Sequence, residues 1–70
     1  MNIDTIRSYV KSYLGKEMKF RYNAGRGQID EFNGVITDVY NGIFLIKTND
    51  YKVKSFSYSD VLINNLNFLD

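Results

Sequence analysis

Phenylalanine occurs five times in this 70-residue chain, at positions 20, 32, 44, 56 and 68, a strict interval of twelve. A short strand plus its turn takes about 8 to 12 residues in small all-β domains, so the interval predicts one phenylalanine per strand and five strands. The residues around each phenylalanine do not repeat, which points to shared architecture rather than a duplicated sequence unit.

The strands can be read around the hairpin of residues 28–48, whose turn is Tyr40-Asn41-Gly42. Its second arm, Ile43-Phe44-Leu45-Ile46, is apolar at four consecutive positions, which predicts a central strand with both faces covered. Asn41-Gly42 is a two-residue hairpin signal of type I′, which needs positive φ at both positions. Before the hairpin, Met18, Phe20 and Tyr22 alternate with Glu17, Lys19 and Arg21, the period of a strand with one buried face. Residues 23–27 then read as a loop. The alternation of the next strand shifts phase near residues 32–34, as at a bulge or glycine kink. Asn49-Asp50 marks a second turn before a strand over 51–56. Ser57-Tyr58-Ser59-Asp60 reads as a short helical or 3₁₀ turn, and residues 61–69 as the last strand.

Residues 4–14 have the period of an amphipathic helix, with Ile3, Ile6, Tyr9, Val10, Tyr13 and Leu14 on one side and Arg7, Ser8, Lys11 and Ser12 on the wet side. Asn2 or Asp4 can cap its start, and Gly15 supplies a left-handed end. The expected fold is mainly β: an N-terminal α-helix followed by a five-stranded antiparallel SH3-like small barrel, in one domain over residues 1–70, with the helix at about 4–14 and the barrel at about 16–69.

Composition narrows the functions. Without cysteine there is no disulfide or thiol chemistry, and without histidine the usual general base and metal ligand are missing. No cofactor, no metal and no catalytic residue is expected. Asp30 and Glu31 are strand neighbours on opposite faces, and Asp38, Asp50 and Asp60 stand singly in turns. The start lacks a basic region followed by an apolar one, and the longest apolar run is far below the roughly 20 residues of a membrane span, so the expected location is the cytoplasm. At this size stability is modest and self-association would add to it.

The net charge of +1 conceals an asymmetry: residues 1–26 carry six cationic side chains against two acidic ones, and the remainder three against six. Arg7, Lys11, Lys16, Lys19 and Arg21 are therefore the candidate residues of a nucleic-acid-binding small barrel of Sm-like or SH3-like type. The other candidates are partner-binding anchors: Arg26 on its glycine-flanked loop, and Tyr40 and Tyr58, expected exposed at turns. The lack of tryptophan argues against a polyproline groove.

Gly15-Lys16, Asn23-Ala24-Gly25-Arg26, Gly34-Val35-Ile36, Tyr40, Phe44-Leu45-Ile46 and the run Ser55-Phe56-Ser57-Tyr58-Ser59-Asp60-Val61-Leu62 together resemble the Veg family, small proteins chiefly of Firmicutes described as stimulators of biofilm formation. The likeness runs from about residue 3 to residue 68. It departs from the family at Ala24, at Gly27-Gln28 and at Asn41, where the family commonly has glycine, basic residues and proline. The resemblance implies an SH3-like barrel without known enzymatic activity, a regulatory protein influencing matrix genes by opposing a transcriptional repressor through protein contact.

Overall fold

The computed structural model describes residues 2–69. Helix α1 spans Ile3–Lys11, with the side chain of Asn2 accepting from the Thr5 amide as its N-cap. Ile6 and Val10 form its buried stripe. The helix stops before the spacing predicts: Ser12 is its C-cap, and Leu14 instead bridges to Ile36. Gly15 has the expected positive φ, and its amide donates to the Ile36 carbonyl, so it ties the chain leaving the helix to the sheet.

Five strands follow: β1 (Glu17–Gly25), β2 (Gln28–Val39), β3 (Ile43–Thr48), β4 (Val53–Ser57) and β5 (Leu66–Leu69), with a short helix α2 (Tyr58–Leu62) before the last. All pairings are antiparallel, in the order β4-β3-β2-β1-β5, which is the SH3-like arrangement expected. The sheet is not closed by hydrogen bonds, and β4 and β5 remain its edges.

Side chains close what the backbone leaves open. Phe20 lies directly opposite Phe32 and Phe68 across its two ladders, and Phe44 opposite Phe56. The rings then form a cycle: Phe20 to Phe32 at 5.5 Å, Phe32 to Phe56 at 6.0 Å, Phe56 to Phe44 at 6.1 Å, Phe44 to Phe68 at 6.4 Å, and Phe68 back to Phe20 at 5.1 Å. Centroids at these separations are in the favourable range for aromatic pairs. Phe20, Phe44 and Phe56 are buried, and Phe32 and Phe68 pack partly buried against them, so the twelve-residue interval specifies the interior.

Several boundaries differ from the sequence expectation, each for a local reason. Residues 23–25 extend β1, because the hairpin turns only at Arg26-Gly27; their φ values of 54° and 73° make that the type I′ turn. Asn41 and Gly42 are not in the positive-φ region. The phase shift in β2 falls between Ile36 and Asp38, where a bulge offsets the pairing with β3. Gly34 plays another part: a Cβ there would stand 2.7 Å from the Lys47 carbonyl oxygen and 2.8 Å from Ile46 Cγ2, so glycine lets β2 and β3 approach. The apolar quartet of β3 is covered on one face only, with Phe44 and Ile46 buried, Leu45 half-buried and Ile43 exposed. The core lies on the Phe44 and Ile46 side of the sheet, so the side chains of Ile43 and Leu45 fall on the opposite face. Strand β4 starts at Val53 after a turn in which Tyr51 takes φ 65°, and Val61 and Leu62 belong to α2 rather than β5. Ser57 and Asp60 cap α2 reciprocally, as a capping box.

Candidate functional site: the clamped β2–β3 turn

The turn Tyr40-Asn41-Gly42 joins β2 to β3, and two side chains remote in sequence hold its carbonyls. The Tyr58 hydroxyl, carried on the first residue of α2, donates to the Tyr40 carbonyl at 2.5 Å and reaches the Ile43 carbonyl at 3.3 Å. The Arg7 guanidinium, on α1, donates to the Asn41 carbonyl at 2.9 Å and to the Asp4 carboxylate at 3.0 Å. Its Cζ lies 5.5 Å from the Tyr58 ring centroid, so the two clamping groups also touch each other. The ladder adds the Tyr40 amide, which donates to the Ile43 carbonyl at 2.8 Å. The helices that carry these two side chains start at defined caps, α1 at Asn2 and α2 at the Ser57–Asp60 capping box.

Tyr58 is 1% exposed, so it is not the surface anchor expected of a turn tyrosine. Its ring packs on Phe44 at 5.4 Å, and its hydroxyl is spent on main chain. Burial raises its pKa above the ordinary 10.0, with the nearby Arg7 charge pulling the other way. Tyr40, by contrast, is 52% exposed on a backbone fixed from both sides. Beside it a groove of about 490 Å³ is lined by Arg7, Lys11, Leu14, Asp38, Val39 and Tyr40, among others. An aromatic presented on a rigid turn, with a cationic and apolar rim, can bind a partner with little ordering cost.

The remaining candidates lie elsewhere. Arg26 tips the β1–β2 hairpin, at the opposite end of β2 from Tyr40, so one small contact cannot use both. Its side chain makes no ion pair among the described residues. Lys19 and Arg21 both reach Glu31, at 3.4 and 2.9 Å, the second pair lying directly opposite across β1 and β2. These contacts pull the Glu31 pKa below its ordinary 4.5, the Arg21 hydrogen bond most strongly. Lys16 sits 5.5 Å from the Tyr13 ring centroid. Arg7 is taken from the wet face into the clamp, so of the basic set only Arg7 and Lys11 are gathered at this turn. Sequence reasoning found Tyr40 and Tyr58 but not their relation, because main-chain acceptors leave no trace in side-chain patterns.

Asp30 meets Lys54 at 3.6 Å, Asp38 accepts from the Thr37 hydroxyl, Asp50 accepts from Thr48, and Asp60 caps α2. Each carboxylate is thus in a pair, a turn or a cap. Among the described residues no three histidine, cysteine, aspartate or glutamate side chains gather as a metal site, and no helix is long and apolar enough to cross a membrane. No curated protein matches the chain. A family model does match, over residues 1–68, which takes in the clamp from Arg7 to Tyr58 and all five phenylalanines: the chain belongs to the family of the biofilm formation stimulator VEG.

Proposed function

We propose that this protein is a non-enzymatic cytoplasmic regulator that stimulates biofilm formation by opposing a transcriptional repressor of matrix genes through protein contact, with Tyr40 as the central anchor. Membership of the VEG family supports the biofilm role. The observation that carries the contact is the pairing of an exposed Tyr40 ring with an immobilised backbone, since Tyr58 and Arg7 hold the turn without covering that ring. Tyrosine is favoured at binding hot spots because it brings large contact area at small entropy cost. Arg26, at the far end of β2, serves a separate contact for a carboxylate or phosphate.

The test is a matrix-gene reporter in cells whose own copy has been replaced by variants. Tyr40→Ala removes no buried contact of the described core and should fold with the wild-type melting temperature, yet leave reporter output at the level of the deletion. Full activity of a folded Tyr40→Ala protein would overturn the assignment of Tyr40.

A further inference from the structure

Asparagine stands directly before glycine twice in the chain, at Asn33-Gly34 and at Asn41-Gly42. Such a pair can modify itself, because a glycine nitrogen, unshielded by a side chain, can attack the asparagine side-chain carbonyl carbon once its proton is lost. The two pairs sit in opposite surroundings. Asn33-Gly34 lies inside β2, with Gly34 buried opposite Met18 on one neighbour and Thr48 on the other, and with the Asn33 carbonyl accepting from the Asn49 amide. The ladders hold that peptide group in the sheet, so its nitrogen cannot turn towards the side chain before it. Asn41-Gly42 is the exposed tip of the connection between β2 and β3. Among the described residues neither the Gly42 amide nor the Asn41 side chain takes part in a hydrogen bond, so both reacting groups are free to meet.

The carbonyl of this same Asn41–Gly42 peptide group accepts from the Arg7 guanidinium at 2.9 Å. Removing the Gly42 proton spreads negative charge over the nitrogen and that oxygen, so a guanidinium already bonded to the oxygen stabilises the anion that attacks. The Asp4 carboxylate takes the Nη1 side of the fork at 3.0 Å and leaves Nη2 on the peptide oxygen. We infer that Asn41 is a self-modification site, converted to isoaspartate and aspartate within its own turn, with Arg7 as the promoting group. The Gly42 nitrogen bonds to Asn41 Cγ, the Cγ–Nδ2 bond breaks, and Nδ2 leaves as ammonia, carrying the proton that the Gly42 nitrogen lost through solvent. The product is a five-membered imide, which one water opens. Cleavage between the nitrogen and Cγ gives aspartate, and cleavage of the original peptide bond gives isoaspartate, with the main chain rerouted through Cβ and Cγ. The sum is one water consumed and one ammonia released, with nothing oxidised or reduced. Isoaspartate adds a main-chain carbon between Tyr40 and Ile43, where the Tyr40 amide donates to the Ile43 carbonyl at 2.8 Å and the Tyr58 hydroxyl reaches both carbonyls. The clamp cannot keep all of these contacts around a longer turn, so the surface that carries Tyr40 changes as the molecule ages. That consequence bears on function only through the Tyr40 contact proposed above; the conversion itself does not rest on it.

The test follows purified full-length protein in warm, mildly alkaline buffer, with peptide mapping by mass spectrometry to locate amide-to-acid exchange and to separate isoaspartate from aspartate. Asn41 should convert, chiefly to isoaspartate, while Asn33 in the same sample stays amidated. Arg7→Gln should slow the conversion about tenfold, the factor that one charge-assisted hydrogen bond supplies. Arg7→Lys, which keeps a charged donor, should fall between Arg7→Gln and wild type. Tyr58→Phe loosens the same turn but leaves Arg7 in place, so it should convert at least as fast as wild type. Loosening alone would speed the reaction in Arg7→Gln as well, so a rate there equal to or above wild type overturns the part given to Arg7. Should Arg7→Gln fail to fold, its Asn33 would convert too, and Arg7→Lys against wild type decides the point. If Asn41 stays intact in wild type, or Asn33 converts equally fast, the modification site is overturned. The contact through Tyr40 is untouched by that result, since the reporter assay of Tyr40→Ala decides it separately.

Discussion

The Tyr58 hydroxyl donates to the Tyr40 carbonyl at 2.5 Å across eighteen residues of sequence, so the residue that starts α2 also closes the turn between β2 and β3. In Tyr58→Phe the ring keeps its packing on Phe44, but the Tyr40 carbonyl loses that donor. The loss should be about 1–2 kcal/mol in urea unfolding, the range for a part-buried acceptor left without its partner. Alkali gives a second readout. A tyrosine whose folded pKa is raised adds stability that is fully present below its unfolded value of 10.0 and disappears as pH climbs past that value toward the folded one. Wild type should therefore lose stability relative to Tyr58→Phe as pH rises above 10, and parallel curves for the two proteins would contradict the assigned role.

Gly34 predicts a larger effect from a smaller change. A methyl group at this position meets the Lys47 carbonyl oxygen at 2.7 Å and Ile46 Cγ2 at 2.8 Å, and the first of these is backbone that can move only with the strand. Gly34→Ala should destabilise by about 2–3 kcal/mol or more, as overpacking at a strand crossing does. Thermal melting monitored by circular dichroism checks it, and a melting temperature equal to wild type would mean that β2 and β3 are farther apart than described.

How far these features can be read from sequence depends on the range of the interaction behind them. The phenylalanine interval was legible because each ring marks one strand, and their common burial needs no further information. The ring cycle was not, since it requires the bulge beyond Ile36 and the wrap that brings Phe32 onto Phe56. Asn41-Gly42 carries the composition of a type I′ turn but does not adopt it, while Arg26-Gly27 adopts it against the preference of arginine. At Tyr40 the Tyr58 hydroxyl takes the carbonyl that a tight turn would have used locally, a tertiary contact overriding local propensity. Tyr58 was recognisable as a turn residue and its burial was not, because the groups that satisfy it are carbonyls on another hairpin.

Acid should weaken the fold through two carboxylates. Glu31 is held below its ordinary 4.5 chiefly by the Arg21 hydrogen bond and the Lys19 charge, and Asp50 below its ordinary 3.8 chiefly by the Thr48 hydroxyl. A depressed folded pKa gives stability that is present above the unfolded value and is lost as pH falls through the folded one. The free energy of unfolding should thus decline as pH drops below about 4.5, and Glu31→Gln with Asp50→Asn should flatten the decline. Both groups lie at the surface, so 1 M salt should shrink the Glu31 part, as screening does for exposed pairs. A decline unchanged in the double variant would place the acid sensitivity elsewhere.

Arg26 occupies a left-handed conformation, φ 54°, between Gly25 and Gly27, which are themselves at 88° and 73°. A side chain with a Cβ is penalised there by roughly 1–2 kcal/mol, and asparagine is the residue that such a turn accepts most readily before glycine. Arg26→Asn should therefore raise stability by about 0.5–1 kcal/mol, an unusual direction for a point substitution. The contact proposed for Arg26 outside the chain would offset that backbone penalty. The same variant should accordingly fall short in the matrix-gene reporter despite its higher melting temperature. Gain of stability with undiminished reporter output would show that the hairpin tip has no such contact, and loss of stability would show that the turn is not of type I′.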